Sequence, residues 1–96
     1  MSTKVTFTQS LEFQNPPTDL TELQTALWYA AKNNWEQAHQ IAQNHEGEKN
    51  FDHLHAYLHR IEGDEWNAGY WYRRAGESFP DKSINEELTD LIRKWC

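Results

Sequence analysis

Two turn dipeptides set thirty residues apart, Asn33-Asn34 and Gly63-Asp64, constrain this chain most, because apolar residues at helical spacing flank each of them on both sides. Asn and Gly tolerate the left-handed backbone that ends a helix, and Asn34 and Asp64 can each cap the helix that follows. Sliding the chain on itself by thirty residues also places Ala26 on Ala56 and Ala38 on Ala68. A small residue on either side of a turn lets two helix backbones approach closely. The pattern therefore predicts helices in pairs, joined by tight turns.

The remaining punctuation extends this reading. Asp19-Leu20-Thr21-Glu22 has capping-box spacing, and Leu20, Leu23, Leu27, Ala30 and Ala31 follow at helical intervals. Trp35, Ala38, Ile41, Ala42 and His45 form the next inner face, which breaks at Glu46-Gly47. Asn50 is the expected cap of a third helix with the stripe Phe51, Leu54, Leu58 and Ile61. Asp64 opens a fourth that runs through Phe79 to Pro80, and Ser83-Ile84-Asn85-Glu86 is a second capping box before the stripe Ile84, Leu88, Leu91, Ile92 and Trp95. Residues 4–13 alternate only weakly and are followed by Asn15-Pro16-Pro17, which predicts an extended arm. The expected fold is all-α: two antiparallel helical hairpins, a C-terminal capping helix and an extended N-terminal arm. The arm covers 1–18 and a single helical domain covers 19–96, with helices at about 20–32, 35–45, 51–62, 65–79 and 84–95.

Composition decides whether such a chain can build a core. Hydrophobic residues make up only 38%, yet there are five Trp, four Tyr and four Phe. Each such ring buries on the order of 150–250 Å² when packed, which compensates for the shortage of aliphatic residues. The net charge of −6 argues against a nucleic-acid partner, which would need surplus cations at the phosphates. The single cysteine, Cys96, leaves no internal disulfide or Cys-based zinc site. No run is long and apolar enough for a signal peptide or a membrane span, so a cytoplasmic protein without membrane association is expected.

The residues Gly63, Asp64, Ala68, Tyr72, Ala75 and Pro80, joined in the first pair by Ala26, Tyr29, Trp35 and Ala38, resemble the tetratricopeptide-repeat family. That family places a small residue on each helix where the two cross. The resemblance implies protein or peptide binding in a groove lined by the first helix of each pair.

Two sets of residues offer chemistry. The first is the aromatic and cationic set Tyr57, Arg60, Trp66, Tyr70, Arg73 and Arg74, beside the helices at 51–62 and 65–79. Trp, Tyr and Arg dominate interface hot spots, and Arg forks capture carboxylates. This set predicts a non-enzymatic module that binds a protein or peptide. Self-association is a further expectation, since another copy can complete an unfinished helical stack. The second set is His39, His55, His59 and Glu62, of which the last three recur at i, i+4 and i+7 on one helix face. It is the basis of the alternative, a metal- or small-ligand-binding protein or an enzyme. His53 reads as solvated. No phosphate loop or nucleophile signature accompanies these sets, so no catalytic residue and no cofactor are assigned.

Overall fold

The computed structural model describes residues 6–96, whose regular structure is all helical, with no strand among them. The stretch 1–5, part of the expected arm, lies outside the described residues. Residues 7–10 are not extended: Phe7–Ser10 form a one-turn helix, α1. The cause is a capping box in which Thr6 Oγ1 accepts from the Gln9 amide and Gln9 Oε1 accepts from the Thr6 amide, both at 3.1 Å. Ser10, fully buried, accepts at Oγ from Trp28 Nε1 at 3.1 Å. The indole N–H is thereby satisfied, and Trp28 can sit in the core at 1% exposure.

α2 (Glu22–Ala31) starts two residues later than the Asp19 reading, because Thr21 and Gln24 form the capping box instead. Asn33 takes the left-handed conformation at φ 63°, and Asn34 then caps α3 (Trp35–Asn44). α4 (Lys49–Ile61) begins before Asn50, and its cap residue Glu48 makes no side-chain cap bond. Asp52, in the first turn, instead accepts from the Gly47 amide at 3.1 Å and holds the preceding loop. α5 (Glu65–Ala75) is capped by Asp64 and stops at the left-handed Gly76, short of the expected Phe79. Phe79 is consequently 42% exposed, outside the core. α6 (Ile84–Trp95) opens on the Ser83–Glu86 capping box.

α4 and α5 pack most extensively, followed by α2 with α3 and α3 with α4; α2 also touches α4 and α6. Every residue from Phe51 to Leu58 is buried, so α4 is surrounded by its neighbours rather than resting on one face. The four-residue apolar stripe read from its sequence therefore understates its burial, since Asp52, His53 and His55 are enclosed as well. The core has two parts. One gathers Ala26, Leu27, Ala30, Ala38, Ala42, Leu54, Tyr57, Leu58 and Leu91; the other gathers Ala56, Ala68, Trp71 and Tyr72. No helix of the described chain is long and apolar enough to cross a membrane.

Ala26, Ala38, Ala56 and Ala68 are all at 0% exposure, one on each of the four packed helices. Their methyl groups leave no room for more. Ala38→Leu and Ala68→Leu are each expected to cost about 1–3 kcal/mol through overpacking, measured as a lower midpoint in urea with an unchanged slope.

Candidate functional site

Because α4 is enclosed, its polar side chains leave it in different directions and meet different neighbours. His55 and His59, one turn apart, point to the seam with α3 and α5, and His39 reaches the same seam from α3. The rings pack as a column. Trp71 of α5 stacks on His55 at 3.9 Å and 15°, and His55 stacks on His59 at 4.9 Å and 20°. His39 meets both edge-on, at 4.6 Å and 5.4 Å, and stacks on Trp35 at 4.5 Å. Trp35 Nε1 donates to the Leu58 carbonyl at 2.6 Å, which fixes that wall of the cluster.

Burial, with the neighbouring His39, His59 and Arg74, pushes His55 down to about 3. Burial and His59 likewise lower His39. Glu62 is not gathered into the three-ring cluster; its Oε1 accepts from His59 Nδ1 at 2.6 Å. Since a carboxylate only accepts, Nδ1 carries the proton, and the neutral ring so held has its lone pair on Nε2. His39, His55 and His59 can each offer one nitrogen to a cation, all within 4.8 Å of one another. His59, Glu62 and Asp64 form a second such group, but both Asp64 oxygens already accept from Asn67 as the cap of α5. His39 also lines an open groove of about 470 Å³ together with Trp35, Glu36, Gln40, Gln43 and Asn44.

The aromatic and cationic set divides. Tyr57 is a core residue at 3% exposure, and burial pushes its hydroxyl up to about 12, so it offers no surface contact. Arg60 is taken up internally: it donates to Glu87 at 2.9 Å and to the Lys82 carbonyl, and lies over Phe79. Neither contributes to an open binding face. Trp66 at 77%, Tyr70 at 38%, Arg73 and Arg74 remain on the exposed side of α5. Arg74 donates to Tyr70 Oη at 3.3 Å and lies over the Trp71 ring at 4.9 Å. Arg73 lies across Gly69, where an added methyl would meet its guanidinium at 3.6 Å. The buried run Phe51–Leu58 leaves α4 little exposed surface of its own.

Sequence reading missed a buried network on the opposite side of α4. Glu87, 4% exposed, accepts from Tyr72 Oη at 2.6 and 2.8 Å and from Arg60, with His53 Nε2 at 3.6 Å. His53 is thus buried, not solvated. His53 and Glu87 border a cavity of about 340 Å³ that is also lined by the Lys82–Asp90 and Lys94–Glu77 pairs. One signal was present: Glu87 lies three residues after Ile84 and four before Leu91, on the apolar stripe of α6. No family model, no curated protein and no solved structure matches the chain.

Burial, the largest single influence, pushes the Glu87 carboxyl up, but hydrogen bonds from His53, Tyr72 and Arg60 together hold it below its ordinary value of 4.5. A carboxylate lowered on folding adds stability above its unfolded value, and that stability is lost as pH falls through the folded one. Glu87→Gln leaves Arg60 without a buried counter-charge and is expected to cost roughly 3–5 kcal/mol at pH 7. The gap to the native protein should narrow below pH 4.5, as read from denaturant midpoints taken at stepped pH.

Proposed function

We propose that the protein is a small helical interaction module whose outward α5 face binds an acidic segment of a partner protein or peptide. The observation that carries this reading is Trp66, a large aromatic left 77% exposed beside Tyr70 and the two arginines. Trp66 and Tyr70, one turn apart, make a contiguous exposed aromatic patch, and Trp, Tyr and Arg are the residues that most often anchor interfaces. The Tyr70–Arg74 bond and the stacking of Arg74 on Trp71 hold one guanidinium in place before binding, which reduces the ordering cost of association. Arg73 and Arg74 supply positive charge on a chain whose net charge is −6, so an acidic sequence is attracted here and repelled elsewhere.

The tetratricopeptide-like reading supplies the scaffold. Two consecutive helix pairs, α2 with α3 and α4 with α5, each carry a fully buried alanine on both members, which supports hairpins packed in the manner of that family. The working surface proposed here differs from the one the family resemblance implies. It belongs to the second helix of the second pair, because α4, the first helix, is enclosed.

An acidic peptide array screened with the fluorescently labelled chain tests the reading. Trp66→Ser and Arg73→Gln/Arg74→Gln are each expected to weaken the selected peptides by at least about tenfold while leaving the helical circular dichroism unchanged, since none of the three side chains enters the core. Selected peptides bound equally well by both variants, or no acidic peptide selected at all, would sink it. Self-association through the same face is distinguished by light scattering, where a dimer that Trp66→Ser dissolves makes a second copy the occupant.

A further inference from the structure

The aromatic face of α5 leaves the three imidazoles on the α3–α4 seam without a role. We propose that His39, His55 and His59 form a binding site for one divalent transition-metal ion, Zn²⁺ foremost, held by three ring nitrogens with a fourth position open toward the groove along α3.

The donor set points to the ion class. Three imidazoles with no carboxylate among them suit Zn²⁺, Ni²⁺, Co²⁺ or Cu²⁺ and disfavour Mg²⁺ and Ca²⁺, which take oxygen ligands. Two of the ligands reside on one helix at i and i+4, where their rings share a face. The third comes from α3, which packs directly against α4. An ion bound here joins two helices that are already neighbours, so little backbone has to move.

The hydrogen bonding of His59 fits. A metal takes the lone pair of a neutral imidazole, and a protonated ring must first lose its proton. Glu62, held on His59 Nδ1 at 2.6 Å, selects the tautomer with a free Nε2. A carboxylate behind a ligating histidine is the usual companion of such sites; it fixes the ring and raises its basicity. Glu62 is therefore a positioning residue and not a fourth ligand.

His55 supplies an independent observation. Its Nδ1 is buried with no hydrogen-bond partner among the described residues, on a side chain that is itself 3% exposed. Buried polar atoms are satisfied in the great majority of cases, so an orphaned nitrogen within a histidine cluster points to a partner not supplied by the protein. Packing alone would be served equally well by Phe or Leu, without that cost.

Distances are those of an open site. Ligand bonds of about 2.0–2.1 Å place tetrahedral nitrogens roughly 3.4 Å apart. The widest of the three separations, up to 4.8 Å, has to close by roughly an ångström and a half. His39 and His59 are only partly buried and can turn inward, while His55 is buried and held against Trp71. Of the three rings, His39 also lines the groove with Trp35, Glu36 and Gln40, so the cluster meets solvent through that residue.

The test uses the full, untagged chain with Cys96→Ser, which removes the exposed thiol as a competing ligand, after treatment with a chelator. Calorimetric titration with Zn²⁺ and visible absorption with Co²⁺ are expected to show one ion per chain, intense d–d bands of low-coordinate cobalt, and a raised melting temperature. His39→Ala, at a partly exposed position on α3, should retain the helical circular dichroism and weaken binding by about a hundredfold or more, as should His59→Ala. Glu62→Gln should keep the stoichiometry and weaken binding by roughly 10–100-fold, the effect of losing a carboxylate behind a ligand. His45→Gln, outside the cluster, should leave binding unchanged. Absence of saturable binding for Zn²⁺, Ni²⁺, Co²⁺ and Cu²⁺, or full affinity in folded His39→Ala, would overturn the proposal. No peptide enters these measurements, so their outcome is independent of the α5 reading.

Discussion

A helix enclosed on every side must find an internal partner for each polar group it carries, and α4 carries an unusual number of them. Between Phe51 and Arg60 it presents Asp52, His53, His55, Tyr57, His59 and Arg60. Each unpaired group would cost on the order of 1–3 kcal/mol, more for a charge. Much of the surrounding structure answers this demand. Asp52 ties down the loop at Gly47, Arg60 and His53 draw Glu87 of α6 inward, and His59 recruits Glu62. α6 is therefore held by a buried carboxylate as well as by its apolar stripe, and Gln24 of α2 secures its far end by donating to the Trp95 carbonyl at 2.8 Å.

The features legible in the sequence were those fixed by local backbone chemistry. Asn34, Asp64 and Ser83 cap helices, and Gly63 takes left-handed backbone, because short polar side chains and glycine have few other uses at such positions. Where two local signals competed, spacing did not decide between them. Asp19 and Thr21 both head a plausible box, and the Thr21 box formed, leaving Asp19 and Leu20 in the preceding turn. The end of α5 was missed for a similar reason: Gly76 gives a left-handed stop one turn before Pro80, and the proline masked the nearer signal.

What spacing could not reveal was which polar residues lie inside. Periodicity sorts residues by hydrophobicity, and on α4 it assigned the apolar stripe to the core and His53 to solvent. The decisive facts were non-local. His53 is buried because Glu87, thirty-four residues away, lies on the inward face of α6. His39 joins His55 and His59 because α3 and α4 pack side by side, which the i, i+4 spacing on one helix did not specify. Tyr57 and Arg60 appeared available for binding for the same reason, and only tertiary packing shows both are spent internally.

The surviving candidate residues lie on two sides of one ring. Trp71 stacks on His55 with one face, and the guanidinium of Arg74 lies over it at 4.9 Å while bonding to Tyr70. Trp71 is 8% exposed and belongs to the smaller core cluster, so its position is set by Ala56, Ala68 and Tyr72 and not by either candidate surface. That separation matters. Closing His39 and His59 onto an ion requires the half-buried rings to turn, whereas His55, pressed against Trp71, acts as the fixed member of the set. Arg74 is likewise fixed by the same indole from outside. The packing of the smaller core cluster thus sets the position of the one indole that both candidate sets of residues touch.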